Sequence, residues 1–355
     1  MLTRPENALP RPTHPAPSPG DTARLAAARR LSVAPMIDWT TRDCRFFHRI
    51  LAPGALLYTE MVTTGAILFG DRERHLGFDP AEHPVALQLG GSEPEALAEA
   101  ARLGAAQGYD EINLNCGCPS ERVQKGAFGA CLMREPELVA DCVRAMREAV
   151  PVPVTVKHRI GVDDDEEWPT LLRFVTEVAK AGCRVFIVHA RKAWLKGLSP
   201  RENREIPPLR YELVERLKAE RPDLTIVLNG GLRSEASVAD ALGRFDGVMI
   251  GREAYENPWS LTRFGPLAGQ EGRDGLTREA VVRTMADYAE ARMADGTPFK
   301  AIGRHMLGLF NGLPGARRYR RILSEGMVRG LPARELLDAA LAAVTRDDDT
   351  TRKAA

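Results

Sequence analysis

The sequence predicts an α/β fold, a TIM (β/α)8 barrel with a small all-helical C-terminal domain, on three observations. Short, near-continuous apolar runs recur eight times between Leu31 and Gly251, the pattern of parallel strands buried on both faces. Helical patterns separate most of them, and eight such repeats in about 230 residues suit a closed barrel better than an open doubly wound sheet. No Gly-x-Gly-x-x-Gly turn follows the first run, so the signature of a dinucleotide-binding sheet is missing.

The elements follow in order. Residues 1 to about 30 are rich in Pro, Ala and Arg without apolar periodicity and are expected to form a flexible tail. An RNA-touching arm is the functional alternative. Strands are expected at Leu31–Met36, Leu56–Met61, Val85–Gly90, Glu111–Cys116, Val154–Arg159, Val185–Ala190, Thr225–Gly230 and Gly247–Gly251. Helices are expected at Pro94–Gln107, Pro136–Val150, Glu166–Ala181, Pro208–Glu220 and Glu235–Gly243, the first with acidic residues near its positive end. After Pro258 the strand signals vanish. Gly265–Gly275 reads as a linker, and Thr277–Asp295, Ala301–Phe310, Gly315–Leu323 and Ala333–Thr345 read as helices. The expected organisation is therefore a tail at 1–30, a barrel at 31–262 and a helical domain at 270–345, with a polar, fraying end from Arg346.

Composition bounds the function. The chain has 355 residues, 27% of them charged, yet a net charge of only +1. Any nucleic-acid contact must then use a local basic face. Six cysteines are too sparse for a disulfide framework and suit reduced thiols in a cytoplasm. No run approaches the roughly 20 apolar residues that span a bilayer, and the N-terminus has no signal-peptide core, so no membrane association is expected.

In such barrels chemistry collects at the C-terminal ends of the strands. Those ends carry Ala34-Pro35-Met36, Gln88, Asn113 and Asn115, Lys157-His158-Arg159, His189, Asn229-Gly230-Gly231 and Gly251-Arg252. Gly230 and Gly231 let backbone N–H groups approach an anion, and Gly251-Arg252 adds a second glycine and a fixed cation. The loops after the seventh and eighth strands are where barrels commonly hold a phosphate; ordinary β-to-α turns are the bland alternative. Lys157 on an apolar strand needs a balancing partner, either a bound anion or a carboxylate such as Glu60. His189 is either a satisfied core histidine or a contact to ligand, and His158 and Arg159 read as supporting or loop-anchoring groups. Gly117 and Pro119 break the fourth strand and present Cys118 from a loop over the mouth. Cys44, Cys142 and Cys183 read as small buried hydrophobes, and Cys131 stays open. A Cys116-x-Cys118 metal site lacks a second ligand pair, so no metal is expected. The acidic run Asp163–Glu167 suits a helix start. The run Arg317-Arg-Tyr-Arg-Arg321 is either a solvated helix face or a phosphate grip with a stacking tyrosine. Arg191, Lys192, Lys196, Arg201 and Arg204 form a second positive group after the sixth strand.

The stretches Val33–Trp39, Leu57–Met61, Leu114–Ser120, Gly126–Met133, Val156–Gly161, His189–Leu209, Leu228–Gly231 and Gly312–Arg317 resemble the tRNA-dihydrouridine synthases, specifically the A-type subfamily. The resemblance runs from about 31 to 330, with the Asn115–Ser120 and Arg191–Pro200 runs its most specific parts. It implies FMN as cofactor, lined by Pro35, Met36, Ile37, Gln88, Lys157, His189, Asn229, Gly230, Gly231, Gly251 and Arg252, with NADPH or NADH as reductant. It implies Cys118 as proton donor, Asn115 touching the target uridine, and Arg201, Arg204, Arg317 and Arg320 facing tRNA. The substrate position implied is a D-loop uridine around 20 and 20a, and a monomer is expected.

The chemistry agrees with that set. The C5=C6 bond of uracil is conjugated to the C4 carbonyl, so hydride from reduced FMN adds at C6 and a proton must reach C5. A cysteine thiol, with an ordinary pKa near about 8.5, carries that proton at neutral pH. The positive charge of Lys157 would stabilise the N1/O2 edge of a reduced flavin. A uridine in folded tRNA must first leave its stack, at about a few kcal/mol, which phosphate contacts elsewhere must offset. Two rival functions share features of the chain: a flavin oxidoreductase acting on a free pyrimidine, and a non-catalytic RNA-binding barrel.

Overall fold

Eight parallel strands close in sequence order, each pairing with the next and the last returning to the first. They are β1 Leu31–Val33, β2 Leu56–Thr63, β3 Val85–Gly90, β4 Glu111–Cys116, β5 Val154–His158, β6 Val185–His189, β7 Thr225–Asn229 and β8 Gly247–Ile250. This is a TIM barrel, seen in a computed structural model that describes residues 19–353. β1 is shorter than expected. Ala34 N still donates to Ile250 O at 2.8 Å, but Pro35 has no donor to continue the ladder.

Alternation along the strands splits the buried residues into two sets. One face of each strand, with Leu57, Leu87, Ile112, Leu114, Val156 and Val188, packs against the surrounding helices. The other face fills the lumen with Leu56, Tyr58, Ala86, Val185, Ile187, Val227 and Met249.

The lumen is closed from below by a helix at Pro19–Arg29, whose Leu25 and Ala28 join that inner set. This corrects the expected tail: residues 19–29 are a docked helix, and residues 1–18 lie outside the described residues. Three side chains at positions 25, 28 and 29 carry the docking, a spacing of three and four that the surrounding Ala and Arg hide in the sequence. Arg24 reaches Asp110 at 2.9 Å. The backbone of Arg29 passes so close to β8 that a Cβ on Gly247 would stand 2.3 Å from its carbonyl oxygen.

The expected barrel helices are present at Pro94–Gln107, Pro136–Ala149, Glu167–Lys180, Tyr211–Glu220 and Glu235–Arg244. A helix at Arg42–Leu51 was not legible, because it buries Asp43, Arg45, His48 and Arg49 beside its apolar residues. Short helices at Thr64–Phe69 and Arg72–Leu76 follow β2. Helix Leu261–Leu267 runs into the start of the expected linker. The C-terminal region is helical, at Arg278–Ala294, Phe299–Gly303, Ala316–Arg329 and Ala333–Lys353, with a 3-10 turn at Arg304–Met306. The single helix expected at 301–310 is thus a short helix and a turn, and the last helix continues through most of the end expected to fray. Residues 354 and 355 lie outside the described residues.

Arg42–Leu51 carries this region on the barrel. Phe46 stacks on Tyr288 at 3.9 Å between ring centres, and Asp43 accepts from Tyr288 at 2.8 Å and Arg292 at 3.2 Å. Thr41 meets His305 at 3.0 Å. Among the described residues no helix is long and apolar enough to cross a membrane.

Candidate active site

The inward face of β4 is polar throughout: Glu111, Asn113 and Asn115 occupy alternate positions. Register sets Asn113 between Gln88 on β3 and Thr155 on β5, and sets Asn115 beside Lys157. Asn113 accepts from Gln88 Nε2 and donates to Thr155 Oγ1, both at 2.8 Å. Asn115 donates to Gln88 Oε1 at 2.8 Å, and its Oδ1 accepts from the backbone N–H of Gly117 at 3.1 Å and of Cys118 at 3.0 Å. Asn115 therefore forms the turn that presents Cys118, and one N–H of its amide is left over for a ligand.

Cys118 is half-buried, with Sγ 3.5 Å from Ser120 Oγ. Its carbonyl accepts from Ala130 N at 2.9 Å. Gln124 Nε2 ties Pro119 O at 2.7 Å to Leu195 O at 2.8 Å, linking this loop to the one after β6. Cys116, by contrast, is buried in the outer core, where desolvation pushes its thiol well up. Cys44, Cys142 and Cys183 are buried as the sequence indicated. Cys131 is half-buried, with Sγ 3.1 Å from Phe128 O.

Arg159 anchors loops, one of the two roles the sequence offered for it. It is buried, and its guanidinium donates to Gly117 O at 3.2 Å, Lys192 O at 3.1 Å and Asn203 O at 2.9 Å. One side chain thus clamps the Cys118 loop to the loop after β6. Burial lowers Arg159 to about 9, which leaves it charged at neutral pH. Asn203 is fully buried and folds the second loop by accepting from Trp194 N at 2.7 Å and donating to Trp194 O at 2.9 Å. Asp163, read as part of a helix start, also serves here. It holds Leu195 N at 2.7 Å from a left-handed backbone conformation.

Lys157 and His189 stand at adjacent strand ends facing the same mouth. Among the described residues Lys157 has no carboxylate partner. Glu60 instead accepts from Asp38 N at 2.6 Å. Burial, then the Arg159 guanidinium, lowers the Lys157 ammonium to about 7. Burial lowers His189 well below its ordinary value, with Arg159, Lys157, Arg191 and Arg204 adding to the effect, so His189 is neutral. This end of the barrel holds a surplus of cations. Its residues fit a bound anion, because the half-buried Lys157 amine has no carboxylate beside it among the described residues.

Gly230 and Gly231 both have positive φ, 113° and 73°. A Cβ on Gly230 would stand 2.8 Å from the His189 ring, and one on Gly231 2.4 Å from Leu209. The turn itself requires these glycines. Asn229 is buried and donates to Met249 O at 2.8 Å. A Cβ on Gly251 would meet open space. Arg252 is ion-paired with Glu205 and donates to Arg204 O at 3.3 Å, so its charge is already balanced. Pro35 and Met36 are half-buried after β1, and Ile37 is 54% exposed.

The four arginines expected to face tRNA lie in two places. Arg201 and Arg204 belong to the loop after β6, and Arg201 lies 3.7 Å from Glu205. Arg317 and Arg320 are exposed on helix Ala316–Arg329, beside a cleft lined by Asn311, Leu313 and Gly315. Tyr319, which the phosphate-grip alternative would have stack, is not available for it. It is fully buried, tilted against Phe310 at 4.5 Å, because its position in the helix faces inward while the four arginines face out.

Fold and mouth together define a (β/α)8-barrel oxidoreductase in which one thiol and a cluster of cations converge at the C-terminal ends of the strands. The chain belongs to the dihydrouridine synthase family, a flavin-dependent family whose profile matches residues 32–345. It is 55% identical over 320 residues to a tRNA-dihydrouridine(20/20a) synthase of Xanthomonas axonopodis pv. citri, covering 90% of this chain and 95% of that protein. A protein of the same name from Pseudomonas syringae pv. tomato is 54% identical over 325 residues, 92% of this chain and 96% of its own. Another from Escherichia coli O6:H1 is 55% identical over 309 residues, 86% and 93% respectively. Among solved structures, a 2-naphthoyl-CoA reductase complex superposes with a TM-score of 0.53 at 10% identity, over 68% of this chain and 50% of that one, a likeness of fold alone.

Proposed function

We propose that this chain reduces the C5=C6 bond of uridine in the tRNA D-loop, at positions 20 and 20a, with FMN as its flavin and NADPH or NADH as reductant. The observation that carries the reading is the placement of Cys118. Its loop is held by Asn115 from within the barrel and by Arg159 from the side, at a mouth that also carries Lys157 and Arg204. The names of the relatives supply the substrate.

The bound flavin supplies the hydride that adds to C6. The residues around it would be Pro35, Met36, Ile37, Gln88, Lys157 and His189, with Asn229, Gly230, Gly231, Gly251 and Arg252 toward its phosphate. Hydride at C6 leaves negative charge on O4 and C5, and Cys118 delivers the proton to C5. The second N–H of the Asn115 amide would hold the base, and Lys157 would balance negative charge nearby. A neutral His189 donates a hydrogen bond without adding to the positive field. Arg201 and Arg204 flank the mouth, while Arg317 and Arg320 on the helical domain grip phosphates of the same tRNA. We place the enzyme in the cytoplasm as a monomer, a setting in which its six free cysteines stay reduced.

The test is direct. Purified protein, yellow from its flavin, is reduced with NADPH and mixed with an unmodified tRNA transcript, and the product is mapped by mass spectrometry. Dihydrouridine at 20 or 20a supports the reading. Reduction of free uridine or uracil with no change in tRNA contradicts it.

A further inference from the structure

We infer that Glu111, at the floor of the barrel, is a positioning residue for Cys118, acting through a one-way chain of hydrogen bonds. This rests on the reading of Cys118 as the proton donor. Glu111 is fully buried and paired with Arg29 of the N-terminal helix, whose Nε lies 2.8 Å from Oε2. A carboxylate accepts and does not donate. Both hydroxyls on its Oε1, those of Tyr58 and Thr155 at 2.6 Å each, must therefore donate to it.

The consequence propagates upward. Thr155 has one hydroxyl proton, and it is spent on Glu111, so toward Asn113 its oxygen can only accept. Asn113 must then present its NH2 to Thr155, at 2.8 Å, and its carbonyl to Gln88, at 2.8 Å. Gln88 must turn its NH2 to Asn113 and its carbonyl to Asn115, at 2.8 Å. Asn115 is left with its carbonyl facing Gly117 N and Cys118 N. Every amide on the path points the same way, fixed at the bottom by the carboxylate and at the top by two backbone N–H groups, and the last sets the turn that carries the thiol. A reversed Asn115 would aim NH2 at two backbone N–H groups, a donor-to-donor clash that pushes the Cys118 loop out of place. Helix Pro19–Arg29 thus bears on catalysis from the far end of the barrel, since Arg29 pairs with Glu111.

Two variants interrupt the chain without emptying the core. Thr155→Val keeps the shape and deletes the hydroxyl, whereas Thr155→Ser keeps the hydroxyl. Glu111→Gln allows donation from the floor and removes the one-way constraint. Two readouts are taken on flavin-loaded protein: oxidation of the reduced flavin by tRNA, and the rate at which iodoacetamide alkylates Cys118, mapped by mass spectrometry. Thr155→Val and Glu111→Gln are expected to keep the flavin spectrum, lose about 10- to 100-fold in the flavin oxidation step, and change the alkylation rate severalfold. Thr155→Ser should restore both. In a Cys118→Ala background the two variants should add no further loss, since coupled residues are not additive.

Equal behaviour of Thr155→Val and Thr155→Ser, or a full additional loss on top of Cys118→Ala, overturns the proposal. If tRNA fails to oxidise the flavin of the unaltered protein, the functional reading falls. The alkylation rates then still decide whether Glu111 positions Cys118.

Discussion

Asn115 Oδ1 lies 3.0 Å from the backbone nitrogen of Cys118 and accepts its hydrogen. A side chain inside the barrel thereby fixes a residue in the loop outside it. The amide also serves Gly117 N and Gln88 Oε1. Asn115→Ala would leave buried polar groups on both sides without partners, at about 2–3 kcal/mol of stability, seen as a lower urea midpoint. Turnover on tRNA should fall by about 100-fold while flavin stays bound. Full turnover in that variant would show that the turn does not need Asn115.

Arg159 makes the second hold on the same loop. Arg159→Met keeps much of the buried stem but abandons the carbonyls of Gly117, Lys192 and Asn203. The expected cost is about 3 kcal/mol, and hydrogen exchange should speed up at residues 117–120 and 192–203 and not in the strands. Uniform destabilisation with unchanged loop exchange would count against the clamp.

These two residues mark how far the sequence could be read. The eight strands were legible because each is a short apolar run with turn residues at its end, and the strand ends named Gln88, Asn115, Cys118, Lys157 and His189 before any contact was known. Arg159 was legible as a supporting or loop-anchoring group, but not which loops it ties, because its partners are backbone carbonyls from two other loops, and carbonyls leave no mark on a sequence. Asp163 was hidden likewise, because its partner is a backbone N–H, that of Leu195. Glu111 looked like the first residue of a strand, and only the closed lumen shows that Arg29 neutralises it. The helix at Pro19–Arg29 was masked by its Ala and Arg content, and Arg42–Leu51 by charged groups that are buried in pairs, such as Arg45 with Glu82 at 2.5 Å. Whether Tyr319 could stack was not legible, because an arginine-rich run says nothing about which way the residue in its middle faces.

Lys157 makes a pH prediction for the flavin-free protein. Its ammonium is lowered to about 7 in the folded state, against about 10.4 when unfolded. Between those values the unfolded chain binds the extra proton, so stability should rise as pH increases from about 7 toward 10 and be lowest, on this account, below 7. Lys157→Met should flatten that slope in urea titrations at several pH values. Addition of FMN supplies an anion, favours the charged amine, and should draw in protons above pH 7, measurable by calorimetry in buffers of different ionisation enthalpy. Identical slopes with and without Lys157 would remove it as the anion's partner.

The exposed arginines make a prediction about salt. Arg317→Ala and Arg320→Ala should each weaken tRNA binding and reduce the slope of log affinity against log salt concentration by about 1, with the flavin spectrum unchanged. Tyr319→Phe should leave the affinity alone, since the ring is buried against Phe310. A large loss of affinity from Tyr319→Phe with unchanged stability would reopen a stacking role for that tyrosine.

The most direct measurement on the whole account is single-turnover reduction of an unmodified tRNA transcript by pre-reduced enzyme, comparing the unaltered chain with Cys118→Ala. The account predicts dihydrouridine in the D-loop with the unaltered chain and a rate about 100-fold or more lower with the variant, at equal flavin content and equal tRNA affinity. Equal rates in the two proteins would contradict it.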